Sequence, residues 1–226
     1  MIVAVDGVAA RLQDALDRLA SAYGAEIWHW APDYVDGPLD VIAGAVLVQR
    51  TTWGNAERAL ENLRAAGALD IDAILALSED RLCDLVRVSG TPSIKARRLR
   101  ALAGTIRDAG GLDAFLALPD AQLRARLLAT HGVGNETADA IMLYAAGRRT
   151  FIIDAYTQRV FARLGVAPPG TGYDVWRRFF EDHLPGADAA AFQRHHAHIV
   201  LHAKGVCRAK PLCGRCPLAA CGDSRG

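Results

Sequence analysis

Four cysteines near the carboxyl end of the sequence are spaced closely enough to hold one small metal cluster. The chain has five cysteines, and four of them are Cys207, Cys213, Cys216 and Cys221. Their thiolates are soft ligands that suit zinc or an iron–sulfur cluster. Zinc fingers and ribbons usually separate two ligand pairs by about a dozen residues or more, and this loop has no such separation. The spacing therefore favours a [4Fe-4S] cluster over zinc.

Disulfide bonds are the weakest of the three explanations for these cysteines. Residues 1–6 contain Asp6 where a secretory signal would carry basic residues and a longer apolar core. No apolar stretch reaches the roughly 18 residues of a membrane span. We therefore expect a cytoplasmic protein with reduced thiols and no membrane contact. The fifth cysteine, Cys83, lies at an apolar position of a helical pattern and is interpreted as a core residue.

A second candidate site is the turn formed by Gly132, Val133 and Gly134 between two helical patterns. The glycines leave room for a phosphate beside the backbone, and the N–H groups that open the next helix carry partial positive charge. Such a turn can bind a DNA backbone without reading its sequence. Taken alone, an ordinary connection between two helices is the better interpretation of this turn.

A third candidate is Asp154, which follows the apolar run 151–153 and opens another helical pattern. An aspartate in this position is first of all a helix N-cap. A carboxylate can also stabilise the positive charge that develops on a sugar when its glycosidic bond breaks. The two roles are compatible, so Asp154 is a candidate catalytic residue.

Apolar periodicity predicts that helices position these residues, with almost no strand pattern. The predicted helices cover 9–19, 39–49, 53–66, 78–88, 94–108, 121–130, 137–146, 154–164, 173–183 and 189–204. The formal net charge of +1 gives no general attraction to a polyanion. Basic residues nevertheless concentrate in 95–100 and 194–215, which supports nucleic-acid binding only in combination with other features.

Taken together, the Gly132–Gly134 turn, Asp154 and the four-cysteine loop resemble the helix-hairpin-helix (HhH-GPD) DNA glycosylases of the endonuclease III superfamily. The resemblance covers roughly residues 25–222, with the motifs in the family's order and spacing. It implies an all-α, two-domain HhH-GPD fold. A six-helix barrel domain with the hairpin would span 38–148, and a cluster domain would combine 1–37 with 149–226. DNA would lie in the cleft between the two domains.

The resemblance also implies roles for single residues. The protein would be a nucleoid-associated monomer, and its partner would be double-stranded DNA that contains a damaged base. Gly132, Val133 and Gly134 would bind phosphates, with a monovalent cation at the hairpin carbonyls. Gln49 matches the side chain that fills the gap left by the flipped nucleotide. Asp154 matches the catalytic aspartate. The residues expected to contact the DNA backbone beside the cluster are Arg208, Lys210 and Arg215.

Glu136 is the main departure from endonuclease III. Bifunctional members carry a lysine at this position of a G-V-G-R-K-T-A hairpin, and its amine forms a Schiff base with the sugar. This chain reads G-V-G-N-E-T-A, and glutamate cannot form an imine. We therefore expect a monofunctional DNA N-glycosylase that uses water and leaves an abasic site. The related 3-methyladenine DNA glycosylase III branch also has glutamate here.

Three tryptophans are candidates for the base pocket, namely Trp28, Trp30 and Trp53. They lie in segments that resemble the aromatic-rich motifs of the 3-methyladenine branch. N-alkylated purines are cationic and electron-poor, so tryptophan faces can select them through cation–π contacts and stacking. The alternative is that these side chains are ordinary core residues.

Two other functions remain open. One is a bifunctional endonuclease III-type glycosylase and lyase acting on oxidised pyrimidines, with Lys95 or Lys204 as the amine. The other is a non-catalytic, damage-binding iron–sulfur protein.

Four histidines precede the cluster loop on one predicted helix, at His195, His196, His198 and His202. The spacing of the last two could suit a metal ion. We interpret all four as packing and hydrogen-bonding residues, and expect no catalytic role for them.

Overall fold

A computed structural model describes residues 5–24 and 37–218, and all regular secondary structure in those ranges is helical. The α-helices are α1 (Val5–Tyr23), α2 (Pro38–Leu47), α3 (Trp53–Ala65), α4 (Ile71–Ala76), α5 (Glu79–Val86), α6 (Pro92–Asp108), α7 (Leu112–Leu116), α8 (Asp120–Ala129), α9 (Asn135–Ala140), α10 (Ala155–Leu164), α11 (Tyr173–His183) and α12 (Ala189–Gly205). Short 3-10 turns occupy Arg87–Ser89 and Cys213–Arg215, and a π-helical turn follows α9 at Ile141–Ala145. The predicted all-α fold class is confirmed.

Local sequence signals explain where the best-defined helices begin and end. Pro38 is the first residue of α2, where its missing N–H costs no hydrogen bond. Asp154 caps α10, and Gly165 ends that helix in the left-handed conformation at φ 66°. Asp70 caps α4, and Ser78 caps α5.

The chain divides into two compact units, an internal unit (Pro32–Arg148) and a terminal unit (Met1–Ala31 with Arg149–Gly226). The internal unit has a continuous apolar core to which most of its helices contribute. Core side chains from successive helices include Val46, Leu60, Leu82, Leu99, Leu127 and Ile141. Cys83 packs against this core while partly buried, as predicted.

The terminal unit has a separate core built around phenylalanines. The ring of Phe180 stacks on Phe151 at a centroid distance of 4.3 Å and meets the edge of Phe161 at 4.9 Å. Phe192 contacts Phe151 at 5.1 Å. Helix α1 packs along α12 and buries Leu12, Ala15, Leu16 and Leu19. These contacts fix α10 and α12, which carry most of the chemical side chains of this unit.

The predicted helices differ from the structure most clearly at four of the observed elements. Helices α4 and α7 were not predicted, because five or six residues do not complete a recognisable apolar stripe. The helix predicted over 39–49 ends at Leu47, and 48–50 form a turn. The helix predicted over 137–146 begins at Asn135 and finishes as the π-helical turn.

Candidate active site

Asp154 lies at the start of α10 with its carboxylate anchored and its side chain 11 % exposed. Oδ1 accepts a hydrogen bond of 2.7 Å from the backbone N–H of Thr157, which is the expected N-cap contact. Burial alone would raise the pKa of Asp154, but the contacts with His196 and Thr157 outweigh burial and hold that pKa below its usual value. The side chain is therefore an oriented carboxylate that stays ionised at neutral pH.

Two side chains of α12 surround this carboxylate. Nε2 of His196 lies 3.7 Å from Oδ2 of Asp154, and the His196 side chain is buried. The exposed Lys204 is close enough for the negative charge of Asp154 to act on its ammonium group. Although Lys204 is exposed, partial desolvation of its ammonium group lowers the pKa of Lys204, and Asp154 opposes part of that change. The Lys204 Nζ atom also lies 6.0 Å from the centre of the Tyr156 ring.

The Gly132–Gly134 turn joins α8 to α9 in the internal unit. Gly132 has φ 83°, and a Cβ atom there would collide with the side chain of Arg98, so two independent constraints require glycine. Gly134 has an extended backbone at φ −96° and is exposed. Val133 is buried in the core. The turn is therefore anchored in the core by Val133 and exposed to solvent at Gly134.

A buried ion pair fixes the two helices of this hairpin. Arg124 on α8 donates from Nε to Oδ1 of Asp139 on α9 at 2.8 Å, and from Nη2 to Oδ2 at 3.3 Å. The same guanidinium also donates to Asn135 Oδ1 at 3.1 Å. Asp139 is completely buried. Sequence reasoning missed this pair, because neither residue belongs to a recognised motif.

Gln49 lies in the turn after α2 and is hydrogen-bonded to the hairpin. Its Nε2 donates to the carbonyl oxygen of Gly132 at 3.1 Å and to Oγ1 of Thr137 at 3.0 Å. Its Oε1 accepts from Nη1 of Arg98. The structure therefore brings Gln49 and Gly132 together, as parts of one hydrogen-bonded network.

The two candidate amines of the bifunctional alternative lie in different environments. Lys95 is 1 % exposed, and its ammonium donates to the carbonyl oxygens of Leu47 and Ser89, each at 2.5 Å. Burial, and then the charge of Arg98, lower the pKa of Lys95 to about 8. Lys95 is therefore a structural residue, and Lys204 is the better candidate.

Glu136 is exposed in the first turn of α9, where a negative charge interacts favourably with the helix dipole. Trp53, the first residue of α3, is partly buried and packs against the core. A Cβ on Gly44 would lie 3.3 Å from its ring, so the indole rests on α2. Trp28 and Trp30 lie outside the described residues.

Three of the four loop cysteines are described, and Cys221 lies outside the described residues. Cys207 is buried, Cys216 is partly buried and Cys213 is exposed. Burial raises the pKa of Cys216, and repulsion from Cys207 and Cys213 raises it further, so the three sulfurs are electrostatic neighbours. Within 5–24 and 37–218, however, no three His, Cys, Asp or Glu side chains are already arranged around a metal position. The donor set and spacing fit a four-thiolate cluster that needs Cys221 as its fourth ligand.

Helix α10 connects Asp154 to the cysteine loop. From the side of this helix, Arg159 donates to the carbonyl oxygens of Cys207 at 2.9 Å and Ala203 at 3.0 Å. Arg163 donates to the Cys207 sulfur at 3.5 Å. Sequence reasoning missed both arginines. The basic residues predicted to contact DNA beside the loop, Arg208, Lys210 and Arg215, are all exposed.

The four histidines of α12 are mostly buried, as a packing role requires. Nδ1 of His202 is 3.0 Å from the Tyr23 hydroxyl, and its Nε2 is 3.7 Å from the Cys216 sulfur. Nε2 of His198 contacts the carbonyl oxygen of Gly24 at 3.0 Å. His196 lies beside Asp154 and His202 lies beside Cys216, so two of the four histidines neighbour predicted functional side chains. The spacing of the histidines in the sequence did not indicate these contacts.

None of the helices in the described ranges combines the length and the apolar character needed to cross a bilayer.

Comparison with known proteins gives consistent results. Residues 43–185 match the family described as "HhH-GPD superfamily base excision DNA repair protein". A Methanocaldococcus jannaschii protein named "Putative DNA repair glycosylase MJ1434" is 41 % identical over 203 residues, which is 88 % of this chain and 90 % of the relative. The crystal structure of H. pylori 3-methyladenine DNA glycosylase (MagIII) bound to 1,N6-ethenoadenine has a TM-score of 0.73 and 26 % identity, and the match covers 84 % of this chain and 96 % of that one. A non-covalent endonuclease III–DNA complex has a TM-score of 0.78 at 20 % identity, and the match covers 93 % and 92 % of the two chains.

Proposed function

This chain belongs to the HhH-GPD superfamily of base excision DNA repair proteins and is a DNA glycosylase, and from that premise we propose that it is a monofunctional enzyme that hydrolyses the N-glycosidic bond of a flipped, damaged base. The observation that carries the proposal is the anchored, ionised and largely but not fully buried carboxylate of Asp154. Glu136 supports the monofunctional part, because it offers no amine at the position where lyases use lysine.

The carboxylate of Asp154 has two tasks in this mechanism. As the bond between C1′ and the base nitrogen breaks, the electron pair leaves with the base and positive charge develops on the sugar. A fixed negative charge stabilises that state without rearranging during the reaction. The same carboxylate orients a water molecule, whose oxygen bonds to C1′ while one of its protons passes to the carboxylate and from there to solvent. The N-cap hydrogen bond from Thr157 holds the carboxylate in place throughout.

Alkylated purines are the proposed substrates. A cationic purine already has a good leaving group, so an enzyme without a strong general acid can release it. The similarity to the MagIII structure with bound 1,N6-ethenoadenine supports this class. In the proposal, Trp28, Trp30 and Trp53 contribute the aromatic surface of the base pocket.

DNA binding rests on the hairpin and on exposed basic residues. We propose that Gly132, Val133 and Gly134 bind phosphates, with a monovalent cation at their carbonyls, and that Gln49 fills the gap after base flipping. Arg208, Lys210 and Arg215 would contact the backbone beside the cysteine loop, and the protein would act as a monomer.

The proposed domains are a barrel domain over 38–148 and a cluster domain over 1–37 and 149–226.

Cys207, Cys213, Cys216 and Cys221 would hold a [4Fe-4S] cluster, which when bound cross-links the loop and provides a redox-active group. A guanidinium N–H of Arg163 donates to the Cys207 sulfur, and Nε2 of His202 lies 3.7 Å from the Cys216 sulfur. No catalytic step depends on the cluster in this proposal.

One observation favours a second candidate function, the bifunctional glycosylase and lyase. Lys204 lies near Asp154, and the burial that lowers its pKa would make its amine more nucleophilic.

The deciding experiment measures single-turnover base release from duplexes that each carry one lesion. The panel contains N-methylated purines, 1,N6-ethenoadenine, oxidised pyrimidines and mismatched bases. Release of alkylated purines with the abasic strand left intact would support the proposal. Release of oxidised pyrimidines with strand cleavage would contradict it, and binding without any release would indicate the non-catalytic alternative.

A further inference from the structure

Three turns of the internal unit contain a residue in the left-handed backbone conformation. In the first turn (48–51) this residue is Arg50 at φ 57°, and in the second turn (89–91) both Gly90 at φ 79° and Thr91 at φ 44° have positive φ. In the third turn (130–134) it is Gly132 at φ 83°. Arg50 and Thr91 are the two non-glycine residues with positive φ in the described part of the chain, and both are exposed. Such strain persists only where the surrounding structure holds it, and it is common at functional sites.

A buried ammonium group connects the first turn to the second. Lys95 on α6 donates to the carbonyl oxygen of Leu47, at the end of α2, and to that of Ser89. Arg50 follows Leu47 by three residues, and Thr91 follows Ser89 by two. Because Lys95 is 1 % exposed, water cannot replace either hydrogen bond. The ammonium therefore fixes the distance between the two strained turns.

The first turn is connected to the third from the same helix. Arg98 lies one helical turn after Lys95, and it donates to Oε1 of Gln49 while its side-chain stem covers Gly132. Gln49 in turn donates to the carbonyl oxygen of Gly132. Thus two neighbouring residues of α6 hold all three turns in a single arrangement.

We propose that Lys95 and Arg98 are positioning residues that preset these three turns as one DNA-distorting edge. The idea rests on the proposed function, because a glycosylase must unstack its target nucleotide before it reaches the sugar. Turns that already have the correct spacing can contact the distorted strand without first being ordered. If the spacing is lost, the protein still binds a duplex through its basic residues, but it unstacks the duplex less.

The test measures binding and unstacking separately on one probe. The probe is a duplex with a tetrahydrofuran abasic-site analogue and 2-aminopurine as its neighbour, whose fluorescence rises when the base unstacks. Fluorescence is read at saturating protein, so that differences in affinity do not contribute, and anisotropy gives the dissociation constant. Lys95→Met keeps the apolar stem and removes both hydrogen bonds, whereas Arg98→Met removes the hydrogen bond to Oε1 of Gln49 that holds the Gln49 side chain against Gly132.

Arg100→Met is the matched control. Arg100 lies on the same helix and donates to the carbonyl oxygens of Leu75 and Leu77, but it contacts none of the three turns. We expect this variant to give the wild-type fluorescence increase at saturation. For Lys95→Met and Arg98→Met we expect less than about half of that increase, with dissociation constants changed less than about threefold.

Equal fluorescence for Arg98→Met and wild type would overturn the inference, even if Lys95→Met does not fold. The absence of any increase with wild-type protein would overturn it as well. The proposed function is tested by a different measurement, the release of bases from the lesion panel. Absence of base release would contradict the proposed function but would not change the unstacking signal.

Discussion

Oδ2 of Asp154 and Nε2 of His196 lie 3.7 Å apart, on two helices that pack against each other in the terminal unit. The carboxylate is therefore held from two sides, by His196 and by the first turn of its own helix. This arrangement orients the acid and keeps it ionised despite burial, and several of the following predictions depend on it.

Asp154→Asn should abolish base release while leaving the fold intact. The amide carries no charge to stabilise the sugar, so we expect the single-turnover rate to fall by about 100-fold or more. Asparagine is a good N-cap, so the melting temperature should change little. Asp188→Asn is the matched control, because Asp188 caps α12 by the same contact, 2.7 Å from the N–H of Ala191. Equal loss of activity in both variants would contradict a catalytic role for Asp154.

His196→Asn should shift the acid limb of the pH–rate profile to higher pH. In the wild type, contacts with His196 and Thr157 hold the pKa of Asp154 below its ordinary value of 3.8, so the carboxylate stays ionised through mildly acidic conditions. Without the imidazole, two effects that lower the pKa are lost, so burial raises that pKa relative to the wild type, although the hydrogen bonds from Thr157 still oppose the change. Single-turnover rates between pH 4 and pH 8 provide the measurement. An unchanged acid limb would show that His196 only packs there.

Borohydride trapping should give no covalent adduct with the wild-type protein, because Glu136 stands where lyases carry an amine. Glu136→Lys, at the exposed start of α9, should produce a trapped band on DNA with the substrate lesion. Lys204→Met should behave as the wild type does. An adduct in the wild type that disappears in Lys204→Met would establish the bifunctional alternative instead.

Cys213→Ala should remove the cluster from the purified protein. We expect iron to fall from about four atoms per chain to less than one, together with the visible absorption band. Cys83→Ala is the control, since that thiol packs against the core of the internal unit and should leave the iron content unchanged. Zinc in place of iron in the wild-type protein would contradict the cluster assignment.

Lys95 should make the free energy of unfolding increase with pH above about 8. Its pKa is about 8 in the folded protein and near the ordinary 10.5 in the unfolded chain, so between these values the unfolded chain binds more protons. Stability therefore rises with pH across this interval, and below pH 8 the burial of the ammonium is fully unfavourable. Urea unfolding at pH 7.5 and pH 9.5 measures the change. Because other groups also titrate, the difference between wild type and Lys95→Met isolates the contribution of Lys95.

Much of the helical framework could be predicted from sequence, because its signals are local. The predicted 173–183 coincides with α11, and the aspartate expected to cap α10 does so. The short helix α7 gave no comparable signal, because its five residues bury only Phe115. Length and a distinct apolar stripe thus decided which helices were found.

The contacts that define the candidate site were harder to predict. A lysine in a basic run suggests a solvated surface, yet Lys95 is buried because two carbonyl groups accept from it across the fold. His196 likewise becomes important only because α10 and α12 pack together. Motifs identify which side chains carry chemistry, whereas long-range packing determines which neighbours orient them.

Helix α10 has Asp154 at one end and, through Arg163, contacts the cysteine loop near the other. Its ten residues make a stiff rod of about 15 Å. A tilt of about two degrees at the loop end would displace the carboxylate by about 0.5 Å, which is enough to spoil a catalytic geometry. The position of the carboxylate therefore depends on the integrity of the loop that is anchored at the far end of the same helix.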